Sequence, residues 1–127
     1  PLETIKEDNI QTSTKENFNP NDLWQKGSYA LRKIYHESTK PLLVVYTSPN
    51  CGPCYVLKPQ LKRVIKELEG KAQGVEIDID LENEIAKQAG VNGTPTIQLF
   101  YKKELKKQWK GVKQRSEFYD AIKKLLS

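Results

Sequence analysis

A pair of cysteines placed between an apolar segment and an amphipathic segment constrains the fold of this chain more than any other feature. Cys51-Gly52-Pro53-Cys54 follows the continuous apolar run 42–46, Leu-Leu-Val-Val-Tyr, which is typical of a central strand covered on both faces. After the cysteines, apolar residues recur with helical spacing at Leu57, Leu61, Val64, Ile65 and Leu68. The sequence therefore predicts that the cysteines lie where a buried strand ends and a helix begins.

Helical and strand patterns alternate along the rest of the chain. Apolar residues at helical spacing predict three more helices, one from Ser28 to the Lys40-Pro41 breaker, one over 82–89 and one over 118–126. Residues with strand character predict three more strands, over 75–79, 96–101 and, after a tight turn at Lys102-Lys103, 104–109. The predicted order is α-β-α-β-α-β-β-α, and the predicted fold class is α/β with a central mixed β-sheet flanked by α-helices.

The first part of the chain has a different character. Residues 1–19 are polar and lack periodicity, and Asn19-Pro20 predicts a short helical turn that ends at Gly27. We therefore expect residues 1–27 to form a flexible linker or N-terminal extension and residues 28–127 to form the folded domain. The chain begins with Pro1 and contains no Met, so we expect it to be processed or cut from a longer polypeptide.

The charge of the chain limits the classes of partner. There are 21 basic and 16 acidic residues, a net charge of +5 at pH 7. Lysines are interleaved with Glu and Asp, as on a solvated surface, whereas a nucleic-acid site needs basic residues clustered with aromatics. No apolar run approaches the roughly 20 residues of a membrane span. We expect neither nucleic acid nor a membrane as partner, while the positive charge favours docking on an acidic protein.

The two cysteines have the spacing and context of a redox pair. Two intervening residues are too few for a structural staple, and the start of a helix would stabilise a thiolate at Cys51 through unpaired N–H groups and the helix dipole. Cys54, one turn later and less exposed, would resolve a mixed disulfide formed at Cys51. Gly52 would let a substrate approach, and Pro53 would preorganise the first helical turn.

Two other interpretations of the cysteine pair are weaker. Half a zinc site has the same spacing but needs two more ligands, and the chain offers only His36 and no further cysteine. We therefore expect no metal. Two inert core cysteines are also disfavoured, because a Gly-Pro turn is a poor core element.

A proline at the start of the third predicted strand marks a second candidate site. Pro is normally excluded from the start of a paired central strand unless it terminates or bends the pairing. A cis bond between Thr94 and Pro95 would expose the backbone of Thr94 beside the thiols, where a substrate strand would pair with it. Taken alone, Thr-Pro indicates a turn. Its position one strand after the cysteine helix is what favours the interpretation as a substrate site.

Over residues 28–126 the sequence resembles thioredoxin. The matching features are Cys51-Gly52-Pro53-Cys54, Pro59 five residues after the second cysteine, Gly93-Thr94-Pro95 before the third strand and Gly111 before the last helix. The resemblance implies the thioredoxin fold, a protein disulfide reductase with a Cys51–Cys54 disulfide, and a cis-Pro95 beside that disulfide. It also implies a substrate site that includes Gly52, Pro53, Thr94, Pro95 and Gly111, and electrons delivered from NADPH by a reductase.

Two positions depart from the thioredoxin pattern. Asn50 stands where the family usually carries Trp, and Val45 stands where it usually carries a buried Asp that accepts the proton of the second thiol. The lysine companion of that Asp aligns with Glu76. Either Glu76 or solvent water must then accept the proton from Cys54, or this step is tuned differently. We interpret Glu76 as an ordinary polar strand residue.

Segments around these departures resemble the thioredoxin domain fused behind NADPH-dependent thioredoxin reductase in cyanobacteria and chloroplasts. They are Lys26–Ser38, Val44–Pro59 and Val75–Asp80. In such a fusion FAD and NADPH would bind upstream, and this chain, which has no Gly-x-Gly-x-x-Gly, is expected to bind neither. The implied partners are the flavoprotein reductase domain as donor and disulfide-bearing proteins such as 2-Cys peroxiredoxins as acceptors.

The resemblance leaves alternatives open. The chain is either such a fused domain or a free-standing thioredoxin with broad substrates, and intact cysteines argue against a non-redox binding module. The implied location is the cytoplasm of a cyanobacterial-type cell or the chloroplast stroma.

Overall fold

The structure, a computed structural model, describes residues 12–127. Its centre is a five-stranded sheet in the order β1-β3-β2-β4-β5. The strands are β1 (Trp24–Lys26), β2 (Leu42–Thr47), β3 (Gln73–Asp78), β4 (Thr96–Tyr101) and β5 (Glu104–Lys110). The first three strands in sheet order are parallel, and β4 runs antiparallel to both β2 and β5. The predicted mixed sheet is therefore confirmed.

Within residues 12–127, four helices cover the two faces of the sheet. They are α1 (Ser28–Glu37), α2 (Gly52–Glu67), α3 (Asn83–Gln88) and α4 (Arg115–Leu126). Every residue of β2 is buried, and its side chains alternate between two hydrophobic clusters. Leu43 and Val45 pack in the cluster formed with α2 and α4, whereas Val44 and Tyr46 pack in the cluster formed with α1. The prediction of a central strand covered on both faces is confirmed.

The predicted turn forms at Asn19, whose carbonyl accepts a hydrogen bond from the Asp22 N–H at 3.1 Å, but it does not extend to Gly27. Residues 24–26 form β1 instead. This strand pairs in parallel with β3, in the register that places Trp24 beside Gly74. The indole of Trp24 occupies the space that a Cβ on Gly74 would need. The glycine therefore allows the indole of β1 to pack against β3. Ser13 N–H also donates to the Lys26 carbonyl at 2.8 Å. Gln73 Nε2 on β3 donates to the Pro20 carbonyl at 3.1 Å, so the segment 12–27 contacts the sheet. The rest of the predicted linker lies outside the described residues.

None of the helices within residues 12–127 combines the length and the apolar character that crossing a membrane requires.

Candidate active site

The two cysteines lie at the junction between β2 and α2, as the sequence predicts. Cys51 is the N-cap residue of α2, and its Sγ accepts a hydrogen bond from the Cys54 N–H at 3.2 Å. A disulfide joins the two residues, whose Cα atoms are 5.3 Å apart. One of the unpaired N–H groups at the helix start is thus already directed at the Cys51 sulfur, where it would stabilise negative charge.

The disulfide is more enclosed than the sequence predicts. Cys51 is 6% exposed and Cys54 is 2% exposed. Cys51 is therefore the more exposed of the two, as predicted, but it is still a buried residue. Its sulfur faces the first turn of α2, and its own N–H donates to the Ser48 carbonyl at 3.3 Å. Gly52 and Pro53 are exposed, and no atom lies within 4 Å of the position that a Cβ on Gly52 would take. Access from solvent is therefore over Gly52.

The loop that contains Pro95 lies beside the loop that leads to Cys51. The Thr94–Pro95 bond is cis, as predicted. The hydroxyl of Thr94 is 3.0 Å from the hydroxyl of Ser48, which lies three residues before the first cysteine. On the other side, the Gly111 N–H donates to the Pro95 carbonyl at 2.9 Å, with Gly111 at φ 84°, a backbone angle that favours glycine. The structure thus brings together the three loops that the sequence analysis named separately.

On β3, Glu76 takes part in a partly buried ion pair, so its interpretation as an ordinary polar strand residue is wrong. Glu76 is 7% exposed, and its carboxylate accepts hydrogen bonds from Lys58 Nζ at 2.9 Å and from the Trp24 indole N–H at 3.2 Å. In the sheet it lies directly beside Val45. Lys58 follows Cys54 by one turn of α2, on the same side of the helix. A carboxylate therefore does lie near the position of the missing acid, one strand away from it.

The neighbours of Glu76 keep it ionised. Burial by itself raises the pKa of this carboxyl, but hydrogen bonds from Lys58 and Trp24, together with the positive charges of Lys26 and Lys58, outweigh burial and lower the pKa below its usual value. A carboxylate with a lowered pKa is a weak base. Glu76 is therefore poorly suited to accept a proton from Cys54.

This ion pair should make stability depend on pH. We expect Glu76→Gln to lower the free energy of unfolding by about 1–3 kcal/mol at pH 7, because Lys58 loses its charged partner inside the protein. The folded-state pKa of Glu76 is lowered, so its contribution is present above the ordinary value of 4.5 and is lost as the pH falls through the folded value. Urea unfolding at pH 7 and at a pH well below that value should show the difference shrinking.

The matched control is Glu16→Gln. Glu16 is exposed and has no ion pair among the residues that the structure describes. It should change stability by less than about 0.5 kcal/mol at either pH. An equal effect of both substitutions, or a Glu76→Gln effect independent of pH, would contradict the role given to the ion pair.

Within the described part of the chain, cysteine, histidine and acidic side chains form no group of three or more that could hold a metal ion.

Comparison with known proteins identifies the family of the chain. The family model described as Thioredoxin matches residues 25–124. The chain belongs to the thioredoxin family. A thioredoxin from Rickettsia felis is 35% identical over 95 residues, which cover 75% of this chain and 90% of that protein. Together with the Cys51–Cys54 disulfide, this makes the chain a thioredoxin-type thiol–disulfide oxidoreductase.

A second relative is much longer than this thioredoxin. NADPH-dependent thioredoxin reductase 3 of Arabidopsis thaliana is 45% identical over 120 residues, which cover 94% of this chain but only 23% of the relative. Among solved structures, chloroplastic thioredoxin z is similar with a TM-score of 0.73 and 24% identity, over 80% of this chain and 92% of that one. That likeness concerns the fold alone, and the fold agrees with the one predicted.

Three residues contribute to the site without having been predicted from the sequence. Ser48 contacts Thr94, Lys58 pairs with Glu76, and Trp24 caps the same carboxylate. Lys58 carried a usable signal, because it lies four residues after Cys54 on a helix whose neighbouring positions are buried. Ser48 and Trp24 carried none, since their partners are distant in sequence.

Proposed function

We propose that the chain reduces disulfides of other proteins, with Cys51 as nucleophile and Cys54 as resolving thiol. The observation that carries the proposal is the Cys51–Cys54 disulfide at the start of α2, beside the loop that contains Pro95. The start of the helix stabilises the thiolate of Cys51 relative to the thiolate of a free cysteine. The lower exposure of Cys54 suits a thiol that reacts only with its neighbour.

The reaction transfers two electrons to the substrate. The Cys51 thiolate attacks one substrate sulfur, forms a mixed disulfide and releases the other substrate sulfur as a thiolate, which takes up a proton. Deprotonated Cys54 then attacks the Cys51 sulfur, restores the Cys51–Cys54 disulfide and releases the second substrate thiolate. A dithiol donor must next reduce the chain again.

The proposed substrate site lies around the exposed side of this disulfide. Gly52 and Pro53 provide the open approach, and the backbone of Thr94 with Pro95 provides a short edge to which an extended substrate would pair. Gly111 supports this edge through its hydrogen bond to the Pro95 carbonyl.

We further propose that this domain works as part of a longer reductase. Support comes from the 45% identity to the Arabidopsis reductase, of which it matches 23%. FAD and NADPH would then bind upstream, a reductase domain would supply electrons, and a 2-Cys peroxiredoxin would accept them in a cyanobacterial cytoplasm or chloroplast stroma. The free-standing alternative is supported by the 90% coverage of the Rickettsia thioredoxin. The length of the parent open reading frame separates the two.

In either case we propose that the domain starts ahead of residue 28. The strand Trp24–Lys26 belongs to the sheet, and Phe18 packs edge-on against Tyr29 with ring centres 5.7 Å apart.

The direct test is reduction of insulin disulfides. With dithiothreitol as donor, the chain should precipitate the insulin B chain well before dithiothreitol alone does, because a stabilised thiolate reacts faster near neutral pH. Turbidity reports the reaction. A time course equal to that of dithiothreitol alone would contradict the proposed activity.

A further inference from the structure

The positive charge of the chain is concentrated in one segment, residues 102–115, here called the basic strip. The strip contains seven of the 21 basic residues and one of the 16 acidic residues, which leaves fourteen basic and fifteen acidic residues elsewhere. The interleaving of charges described above therefore holds outside the strip and fails within it. Six of its basic residues are exposed lysines, namely Lys102, Lys103, Lys106, Lys107, Lys110 and Lys113.

Most of this charge is not neutralised within residues 12–127. Lys106 lies 2.8 Å from Glu104, and Arg115 lies 3.8 Å from Glu67. The other five lysines have no salt bridge in the described part of the chain. The strip thus presents several uncompensated positive charges to an approaching protein.

The strip runs along an edge of the sheet towards the disulfide. β5 is the last strand of the sheet. Because β5 and β2 are both antiparallel to β4, β5 ends at the same end of the sheet as β2, which leads to Cys51. Beyond it, Gly111 is hydrogen-bonded to Pro95. Lysines on an edge strand often serve only to prevent edge-to-edge pairing, but this does not explain Lys102, Lys103 and Lys113, which lie outside the strand.

The opposite side of the disulfide carries the opposite charge. Residues 76–84 contain five acidic residues and no basic one. Glu76 is paired with Lys58, which leaves four acidic residues without a salt bridge in the described part of the chain. They belong to β3, the connection to α3 and the first turn of α3, and β3 lies on the other side of β2 from β4 and β5. Asp80 and Glu84 are exposed there. An acidic partner is therefore repelled on one side of the disulfide and attracted on the other, which would fix its orientation.

We propose that the basic strip docks an acidic segment of the protein whose disulfide is reduced at Cys51. The inference rests on the function proposed above and names a class of substrate for it. A protein is favoured over a nucleic acid for two reasons. The strip ends beside a site for protein disulfides, and its one aromatic residue, Trp109, is 4% exposed and so offers no ring for stacking bases.

The test compares three peptides of equal length that contain one disulfide flanked by Asp, by Gln or by Lys. The reduced 127-residue chain should reduce the acidic peptide about ten-fold faster than the Gln peptide at low ionic strength, and the Lys peptide more slowly. The preference should largely vanish at about 1 M salt, where the Debye length is about 3 Å. Second-order rate constants, followed by chromatography of the released thiols, give the ratio.

Two variants with the same change of net charge locate the effect. The triple variant Lys107→Gln, Lys110→Gln and Lys113→Gln should lower the preference for the acidic peptide from about ten-fold to about two-fold. The control variant Lys40→Gln, Lys66→Gln and Lys71→Gln changes three exposed lysines before β2 and near the end of α2, away from the disulfide. It should keep the preference.

The Gln peptide distinguishes failure of the docking surface from failure of the activity. If the chain does not reduce it, the proposed function fails and the inference fails with it. If all three proteins reduce it equally but no preference for the acidic peptide exists, or the strip variant retains it, only the docking proposal is overturned. Stronger competition by an oligo(dT) than by a disulfide-free acidic peptide of equal charge would overturn the choice of a protein segment.

Discussion

Replacing Cys51 with serine is expected to reduce insulin turnover to the dithiothreitol background. Cys54 is the only other sulfur in the chain and is 2% exposed, so it is badly placed to attack a substrate in its stead. Loss of a catalytic nucleophile lowers rates by up to about six orders of magnitude in well-studied hydrolases. The insulin assay with equal amounts of folded protein, checked by circular dichroism, measures the loss.

Cys54→Ser is the matched variant, because it also breaks the disulfide but leaves the attacking thiol in place. Attack should survive while resolution fails, so a mixed disulfide between Cys51 and the substrate should accumulate. Intact mass spectrometry under non-reducing conditions detects the adduct. If Cys51→Ser formed the stable adduct and Cys54→Ser did not, the roles of the two cysteines would be reversed.

The parts of the fold that carry a strong local pattern could be predicted from the sequence. The apolar run 42–46, the cysteine pair and the helical stripe beginning at Leu57 fix the order strand, active-site turn and helix, and the structure confirms it. The cis bond before Pro95 was also predicted correctly.

β1 could not be predicted, because nothing local specifies it. Trp24–Lys26 is three residues long, too short to show alternation, and Asn19-Pro20 before it favours a turn. Its strand character comes from pairing with β3, about fifty residues later in the chain, and from the space that Gly74 leaves for an indole. The strand therefore depends on tertiary contacts, which the sequence of these three residues does not reveal.

The environment of Glu76 was missed for the same reason. Along β3, the polar Glu76 alternates with the apolar Val75 and Ile77, and the polar positions of such a strand are usually exposed. Here β1 and Lys58 of α2 cover it. Only the folded chain shows that one carboxylate remains near the position where the family has its buried acid.

Val45→Asp, which restores that acid, should be strongly destabilising. Val45 is fully buried among apolar side chains that include Leu57 and Ile97, and it lies beside the charged Glu76. An uncompensated buried charge costs about 3–5 kcal/mol at pH 7. Burial and the neighbouring negative charge raise the pKa of the new carboxyl. Below the unfolded value of about 3.9 the loss should therefore fall to that of an uncharged polar group, and it should grow as the pH rises towards the folded value. Urea unfolding across this range measures it.

Val45→Asn is the control, since it introduces a polar group of similar size without a charge. Its cost should be about 1–3 kcal/mol and should not depend on pH. An equal, pH-independent loss in both variants would show that the new carboxyl stays neutral or finds a partner, in which case Lys58 would be the first candidate because it already lies beside Glu76.

Val45→Asp also tests which group accepts the proton of Cys54. In the natural chain Lys58 and Trp24 help to lower the pKa of Glu76, which makes its carboxylate a weak base. We therefore expect water to be the acceptor and the pH–rate profile to show the thiols alone. A carboxyl at position 45 with a raised pKa should add a second titration to that profile, because it gains the basicity that Glu76 lacks. NMR of the Glu76 carboxyl carbon in the oxidised and reduced forms decides between water and Glu76 as the acceptor. A Glu76 pKa that moved upwards on reduction would make it the base after all, and the added carboxyl would then change the rate little.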